Sequence, residues 1–354
     1  MNIIYYLESA QLKAFFNRLK KNYKVFSPVV KEANGKEIDY YYRNTPEGEP
    51  LIYNSYRIVE PLKSFFTYPY EKIADYFTSQ KDITDVVEKT IIFGVKSCDI
   101  AGHKIQDFVF LEGPEVDSLY RLRRENTLFI SGDCTDFKEV CHCLAWDILP
   151  YSKEGFDLNL SPLTHGYLAE VGSQRGEELI REYKEYFVLA KEAQVAGRKV
   201  KRENLIAPLK KHLVSQNLVP KDNVQKLVKE GYNLDTWKQF MLTCVECGGC
   251  NFICDTCHCF LLSDAKAAQQ QNKKIRIWDA CLYANYARVA GGANPLKTRA
   301  QRLRNRFMKK FDFFVDNLGM PACCGCGRCI EVCPGKIDIR EVLKDLAKKL
   351  TPKA

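Results

Sequence analysis

Two cysteine runs near the C-terminal end carry most of the chemistry this chain can do. The first is CVECGGCNFIC, from Cys244 to Cys254, and the second is CCGCGRCIEVCP, from Cys323 to Pro334. Both fit C-x-x-C-x-x-C-x-x-x-C, the spacing with which bacterial ferredoxins hold a [4Fe–4S] cube. Three thiolates in a tight loop reach three irons, and the fourth, a helical turn later, points away toward the other cluster. The runs therefore predict two cubes with exchanged fourth ligands. One takes Cys244, Cys247, Cys250 and Cys333, and the other takes Cys323, Cys326, Cys329 and Cys254.

The chain has 16 cysteines, and two further groups stand outside this pattern. Cys98 and Cys134 each follow a short apolar run, TIIFGVK and NTLFISG, and Cys141 and Cys143 bracket His142. If the two runs are neighbouring strands, their ends bring Cys98 and Cys134 together and the Cys–His–Cys loop closes over them. Four thiolates hold either an iron–sulfur cluster or a tetrahedral zinc ion, and buried unliganded thiols are the plainer alternative. A third cluster is the expectation here, because it would extend an electron path. Cys257, Cys259 and Cys281 form the last group, a candidate fourth centre. It needs one more ligand, with Cys324, His258 and Asp279 as candidates, and packing around the cubes competes with it because cysteine is readily buried.

These groups need elements to position them. Residues 8–21 place Leu12, Phe15, Phe16 and Leu19 at helical spacing. YKVFSPVV, a turn at Asn34–Gly35 and IDYYY then read as a hairpin. Helical pattern returns over 70–88, and strands are expected at 90–96, 126–132, 156–161 and 166–173. From 176 to about 231 the pattern is helical and charged, with breaks at Gly197, Pro208 and Pro220. The 68 residues between the cysteine runs avoid strand pattern, which favours an α-helical ferredoxin arrangement. Within them LKTRAQRLRNRFMKK (296–310) has seven Lys or Arg and no acid, with Leu303 and Phe307, and Phe311 beyond, on one helix face and the charges on the other. A solvated face is the bland reading of that stretch, and a docking surface for an acidic partner is the sharper one. The fold class is α+β: an N-terminal α/β domain with a small sheet (1–173), a helical connector (174–240) and a C-terminal α-helical-ferredoxin-type dicluster domain (241–354).

Composition excludes several classes. A secreted disulfide scaffold is usually short and preceded by a signal peptide, and MNIIYYLESAQLK has neither a basic start nor an apolar core. No segment has the apolar length of a membrane span. The expectation is a cytoplasmic protein with no membrane partner. The formal charge of +9 permits a nucleic-acid partner, but no nucleic-acid module is recognisable, and none is expected. The chain lacks G-x-G-x-x-G and Walker loops, so no flavin or nucleotide is expected in it, and no catalytic residue is identifiable. Arg328, inside the second loop, either raises a cluster potential by its charge or faces solvent.

In its motifs and their order, the chain resembles the iron–sulfur β subunits of cytoplasmic sulfhydrogenases ([NiFe] hydrogenases) and the corresponding iron–sulfur component of anaerobic sulfite reductase, the 4Fe–4S dicluster proteins. The resemblance rests on FGVKSCDIAGHKIQD, RRENTLFISGDC, CHC, GFDLNL with GYLAEVGSQRGEEL, CVECGGCNFICDTCHC, WDAC, RLRNRF and CCGCGRCIEVCP, over about residues 90 to 340. It implies an electron-transfer role between a flavin-containing diaphorase-type subunit and a terminal catalytic subunit, with ferredoxin as a further partner. It also implies metal binding at Cys98, Cys134, Cys141 and Cys143. Two departures stand out: Asp255 follows Cys254 where proline is usual, and Cys324 adds a thiol beside Cys323, so that either neighbour could bind the iron. The competing readings are a chain with its own reductase site at the incompletely ligated Cys257/Cys259/Cys281 set, and a metal-stabilised nucleic-acid-binding protein.

Overall fold

A computed structural model describes residues 3–33, 37–46, 48–49, 51–75, 87–266 and 272–351. In chain order the elements are β1 (Ile4–Glu8), α1 (Ser9–Leu19), β2 (Lys24–Ala33), β3 (Glu37–Asn44), β4 (Tyr70–Asp75), β5 (Thr90–Val95), α2 (Ser97–Leu111), α3 (Ser118–Glu125) and β6 (Thr127–Gly132). There follow β7 (Leu158–Pro162), β8 (Gly166–Val171), α4 (Gln174–Glu182), β9 (Val188–Leu189), α5 (Glu192–Ser215), α6 (Lys221–Glu230), α7 (Thr236–Phe240) and α8 (Gly249–Phe252). The chain closes with β10 (Phe260–Lys266), β11 (Asn272–Trp278), α9 (Arg299–Met308), α10 (Phe314–Leu318), α11 (Arg328–Glu331) and α12 (Ile339–Leu350).

The N-terminal sheet is larger than the small one expected. It has eight strands in the order β3-β2-β5-β6-β7-β8-β1-β9, with β2, β5, β6 and β7 parallel to their neighbours in that block. Period-two alternation in β5 and β6 explains the two layers on it. Ile91, Phe93, Leu128 and Ile130 pack with Phe15, Phe16 and Leu179 from α1 and α4. Ile92 and Phe129 face the other way, toward Phe110 and Tyr120 of α2 and α3. Both faces are covered, so these strands read as continuous apolar runs.

Four sequence expectations need correction. Tyr70–Asp75 is strand β4, where helix was expected over 70–88; residues 76–86 lie outside the described residues, as does the Asn34–Gly35 turn. The insert between the cysteine runs contains a hairpin, β10–β11, whose strand β11 pairs with β4. Strand pattern was hidden there because Phe260, Leu261 and Leu262 are consecutive and exposed, so β10 shows no alternation. The pairing is long-range, and buried Glu71 on β4 accepts from Arg276 on β11 at 2.6 Å and from Arg123 at 2.8 Å. Finally, α5 runs unbroken through Gly197 and Pro208, and β9, within the expected connector, joins the N-terminal sheet.

The dicluster segment is built on α6, α7, α9 and α12. Val224, Val228, Trp237, Phe307, Val342 and Leu346 share one core, joined by Phe311 just beyond α9. Among the described residues no helix is long and apolar enough to cross a membrane.

Candidate metal centre

Both cysteine runs fold the same way, and the reason is local. Each places a positive-φ residue before the second cysteine, Glu246 (57°) and Gly325 (63°), and another after it, Gly248 (71°) and Gly327 (75°). Two left-handed residues coil the backbone around one centre, so that three cysteines face inward before the short helices α8 and α11 carry the fourth away.

The sulfurs of the two runs lie close to one another. Cys244, Cys247, Cys250 and Cys333 line one cleft of about 580 Å³, open solvent included, together with Cys329, Arg306 and the apolar Met241, Leu303 and Phe307. Burial raises the Cys250 thiol, against the charge of Arg306, and the charges of Cys281, Cys333 and Cys244 raise it further. At the other site burial pushes Cys323 up to about 11, with Cys254 and Cys326 adding to the rise against Lys310. Cys329 is likewise raised by burial and by Cys254, Cys326 and Cys323. Thiols so buried stay protonated unless a metal replaces the proton, which is the donor chemistry an iron site offers. All 16 cysteines are free thiols. Among the described residues no three His, Cys, Asp or Glu side chains converge on one point as ligands of a single ion do. A cube takes one thiolate on each iron, so its ligand sulfurs stand apart.

Cys98, Cys134, Cys141 and Cys143 gather at the C-terminal edge of the parallel strands. Strands β5 and β6 are parallel neighbours, Cys98 lies in the first turn of α2 after β5, and Cys134 follows β6. Burial pushes Cys134 up to about 12, and the Cys141 charge adds to it. Cys143 is raised by burial and then by Cys134 and Cys141. Buried Lys96 donates to the Asp133 carbonyl at 3.0 Å, and its charge lowers Cys134. This group adjoins the second run. Cys98 packs with Cys324 and Cys326, and the His142 N–H donates to Gly325 O at 2.8 Å. Arg57 donates from Nε to Cys326 O at 2.7 Å and pairs with Glu331, while its buried Nη1 has no partner among the described residues. An orphaned cationic N–H beside Cys141 and Cys326 suits an anionic cluster.

Arg328 does not face solvent. It is 1% exposed, pairing with Asp99 at 2.6 Å and Asp255 at 3.0 Å and donating to Ile58 O at 2.8 Å. The Asp255 departure is thereby explained: its carboxylate anchors Arg328 and accepts from the Lys63 N–H at 3.2 Å. Of the ligands considered for the Cys257/Cys259/Cys281 group, Cys324 packs with Cys98 and Cys326. In that group Asn251 donates to Cys281 Sγ at 3.1 Å and lies 3.7 Å from Cys257 Sγ. Cys259 lies 4.0 Å from Lys309 Nζ and shares a small cleft with Cys257, His258 and Asp279.

The basic stretch reverses the sequence reading. Arg302, Arg306 and Lys310 are buried and turn inward, beside the same layer as Leu303, Phe307 and Phe311. Arg306 reaches Cys257 Sγ at 3.6 Å, and Lys310 reaches Cys254 Sγ at 3.4 Å. Their spacing of four residues was the available signal, since it puts three cations on one stripe beside the apolar one.

The chain is similar to known proteins. The family model of the 4Fe-4S dicluster domain matches residues 243–337. Over 344 residues, 97% of this chain and 98% of the relative, the sequence is 30% identical to sulfhydrogenase 2 subunit beta of Pyrococcus furiosus. That similarity includes most of the first 90 residues, which carry none of the cysteine motifs.

Proposed function

Because this chain belongs to the sulfhydrogenase β-subunit family and carries its iron–sulfur electron-transfer domain, we propose that it relays electrons between a flavin-bearing subunit, linked to NAD(P)H or ferredoxin, and a terminal catalytic subunit. A bound [4Fe–4S] cube supplies one-electron storage at a potential set by charge, hydrogen bonds and burial. The observation that supports the reading is that Cys333 lines the cleft of the first run with Cys244, Cys247 and Cys250, while the charge of Cys254 bears on Cys323 and Cys329 of the second.

Each residue group has its part in this relay. Cys247 is exposed, and Leu242 and Val245 around it are 77% and 65% exposed, so the first run opens to a partner. Cys254 and Cys326 are buried, so the second run exchanges electrons only with centres inside the chain. Cys134, with Arg198, Lys201 and Arg202, lines a separate cleft at the sheet edge. We assign the N-terminal four cysteines to a third cluster, which makes the second run the middle of a path with two accessible ends. The Cys257/Cys259/Cys281 group is assigned to a side position next to the second run. Its remaining ligand is His258 or Asp279, both of which line the cleft that holds Cys257 and Cys259.

Iron and acid-labile sulfide analysis of anaerobically purified chain tests this. The expected content is at least about eight irons, about twelve with the third cluster and about sixteen with the fourth, falling by about four in Cys134→Ser. Colourless protein containing zinc alone would overturn the relay. Iron unchanged in Cys134→Ser would remove the third cluster and leave the other two.

A further inference from the structure

Lys310 is a buried cation whose described neighbours include no counter-carboxylate. It lies in the π-helical segment Lys309–Phe313 that continues α9, where the wider turn carries Lys310, Phe311 and Asp312 inward together. Its side chain is 5% exposed. Nζ donates to Thr256 Oγ1 at 2.7 Å, to Ala322 O at 2.9 Å and to Cys254 Sγ at 3.4 Å. Asp312, two residues on, is engaged elsewhere, with Lys229 at 2.9 Å. Among the described residues Lys310 forms no ion pair with Asp or Glu. A buried ammonium needs an anion, and the negative charges that bear on it are those of Cys254, Cys257 and Cys323.

The matching position in the other half is different. Cys333, the fourth cysteine of the second run, accepts from the Ile337 backbone N–H at 3.3 Å. The fixed cation is therefore present at one fourth ligand and replaced by a neutral donor at the other.

We propose that Lys310 is a positioning residue that raises the electron affinity of the centre held by Cys254, Cys323, Cys326 and Cys329. An added electron makes that centre more negative, and a charge-assisted hydrogen bond to a ligand sulfur strengthens as the sulfur gains charge. Lys310 holds its charge in a water-excluded place, where it is weakly screened. The inference rests on the ligand assignment proposed above.

The test is a redox titration, followed by electron paramagnetic resonance, of the anaerobically purified full chain and its Lys310→Met, Lys310→Arg and Cys254→Ser variants. In Lys310→Met the electron affinity of one centre should fall about tenfold, which for a one-electron couple is about 59 mV. Lys310→Arg should restore it, and the shifted signal should be the one that Cys254→Ser removes. Intact iron with no shift in Lys310→Met overturns the role of Lys310 while leaving the ligand assignment standing. A Cys254→Ser variant that keeps all its iron overturns the assignment instead. Should Lys310→Met lose iron, Lys310→Gln keeps a donor without the charge and is read in the same way; iron loss in both variants overturns the proposal in favour of a purely structural lysine.

Discussion

The first and second cysteine runs share a ligand pattern and a backbone trace, yet their surroundings differ at nearly every other position. Where the second run has Gly325, Arg328 and Glu331, the first has Glu246, Gly249 and Phe252. The second run is wedged against the N-terminal domain. A Cβ at Gly325 would lie 2.5 Å from His142 O, and one at Gly327 would lie 2.5 Å from Val140 O. The first run meets no such wall at Glu246, which carries a full side chain at φ 57° and pairs with Arg302. One loop geometry thus has two settings: a first run that leaves Cys247 exposed, and a second run tied to the N-terminal part of the chain through Arg57, Arg328 and the His142 amide.

The largest test of this contrast is to remove one ligand from each side. Cys250→Ser and Cys329→Ser should each cost about four irons per chain. Cys329→Ser should also lower the apparent Tm more, because the seat of the N-terminal domain goes with it. Equal losses of Tm in the two variants would break the comparison, and unchanged iron would break the ligand assignment. A gentler pair compares the matched left-handed positions. Gly325→Ala should cost about 3 kcal/mol, from backbone strain and a close approach to His142 O and Cys143 N. Glu246→Ala should cost about 1 kcal/mol, since it keeps the backbone and loses a half-exposed ion-pair partner. Unfolding of both variants under anaerobic conditions checks the order.

A further effect concerns acid. His103 lies one turn beyond Asp99 on α2, the helix that pairs with Arg328, and it packs between Phe66 and Phe129. Burial lowers it from its ordinary 6.5 to about 3. The folded pKa is depressed, so the unfolded chain binds the proton more readily and stability falls as pH drops below 6.5. Between pH 7.5 and 5.5 His103 should account for a loss of about 1.4 kcal/mol. A His103→Gln variant should lack that slope. If the slope persists, another group carries the acid sensitivity of the second run's seat.

Much of the site was legible before any coordinates. Cysteine spacing is a local property, because three ligands within seven residues are held by one loop whatever surrounds it. The buried strands at 90–96 and 126–132 were equally plain, since covering both faces of a sheet demands unbroken apolar runs. Strand β4 and the β10–β11 hairpin were not legible, because β4 pairs with β11 across about 200 residues and exposed Phe260, Leu261 and Leu262 erase the alternation in β10.

Charge was the property most changed by folding. The sequence alone determined that residues 296–310 form a basic helix and that Arg328 sits inside a cysteine loop. Tertiary structure decided that Arg302, Arg306, Lys310 and Arg328 point inward. The physical reason is that a buried cation is tolerated only where anions are assembled around it. Arg328 meets the carboxylates of Asp99 and Asp255, which are far apart in the sequence, and Arg306 and Lys310 meet the sulfurs of Cys257 and Cys254.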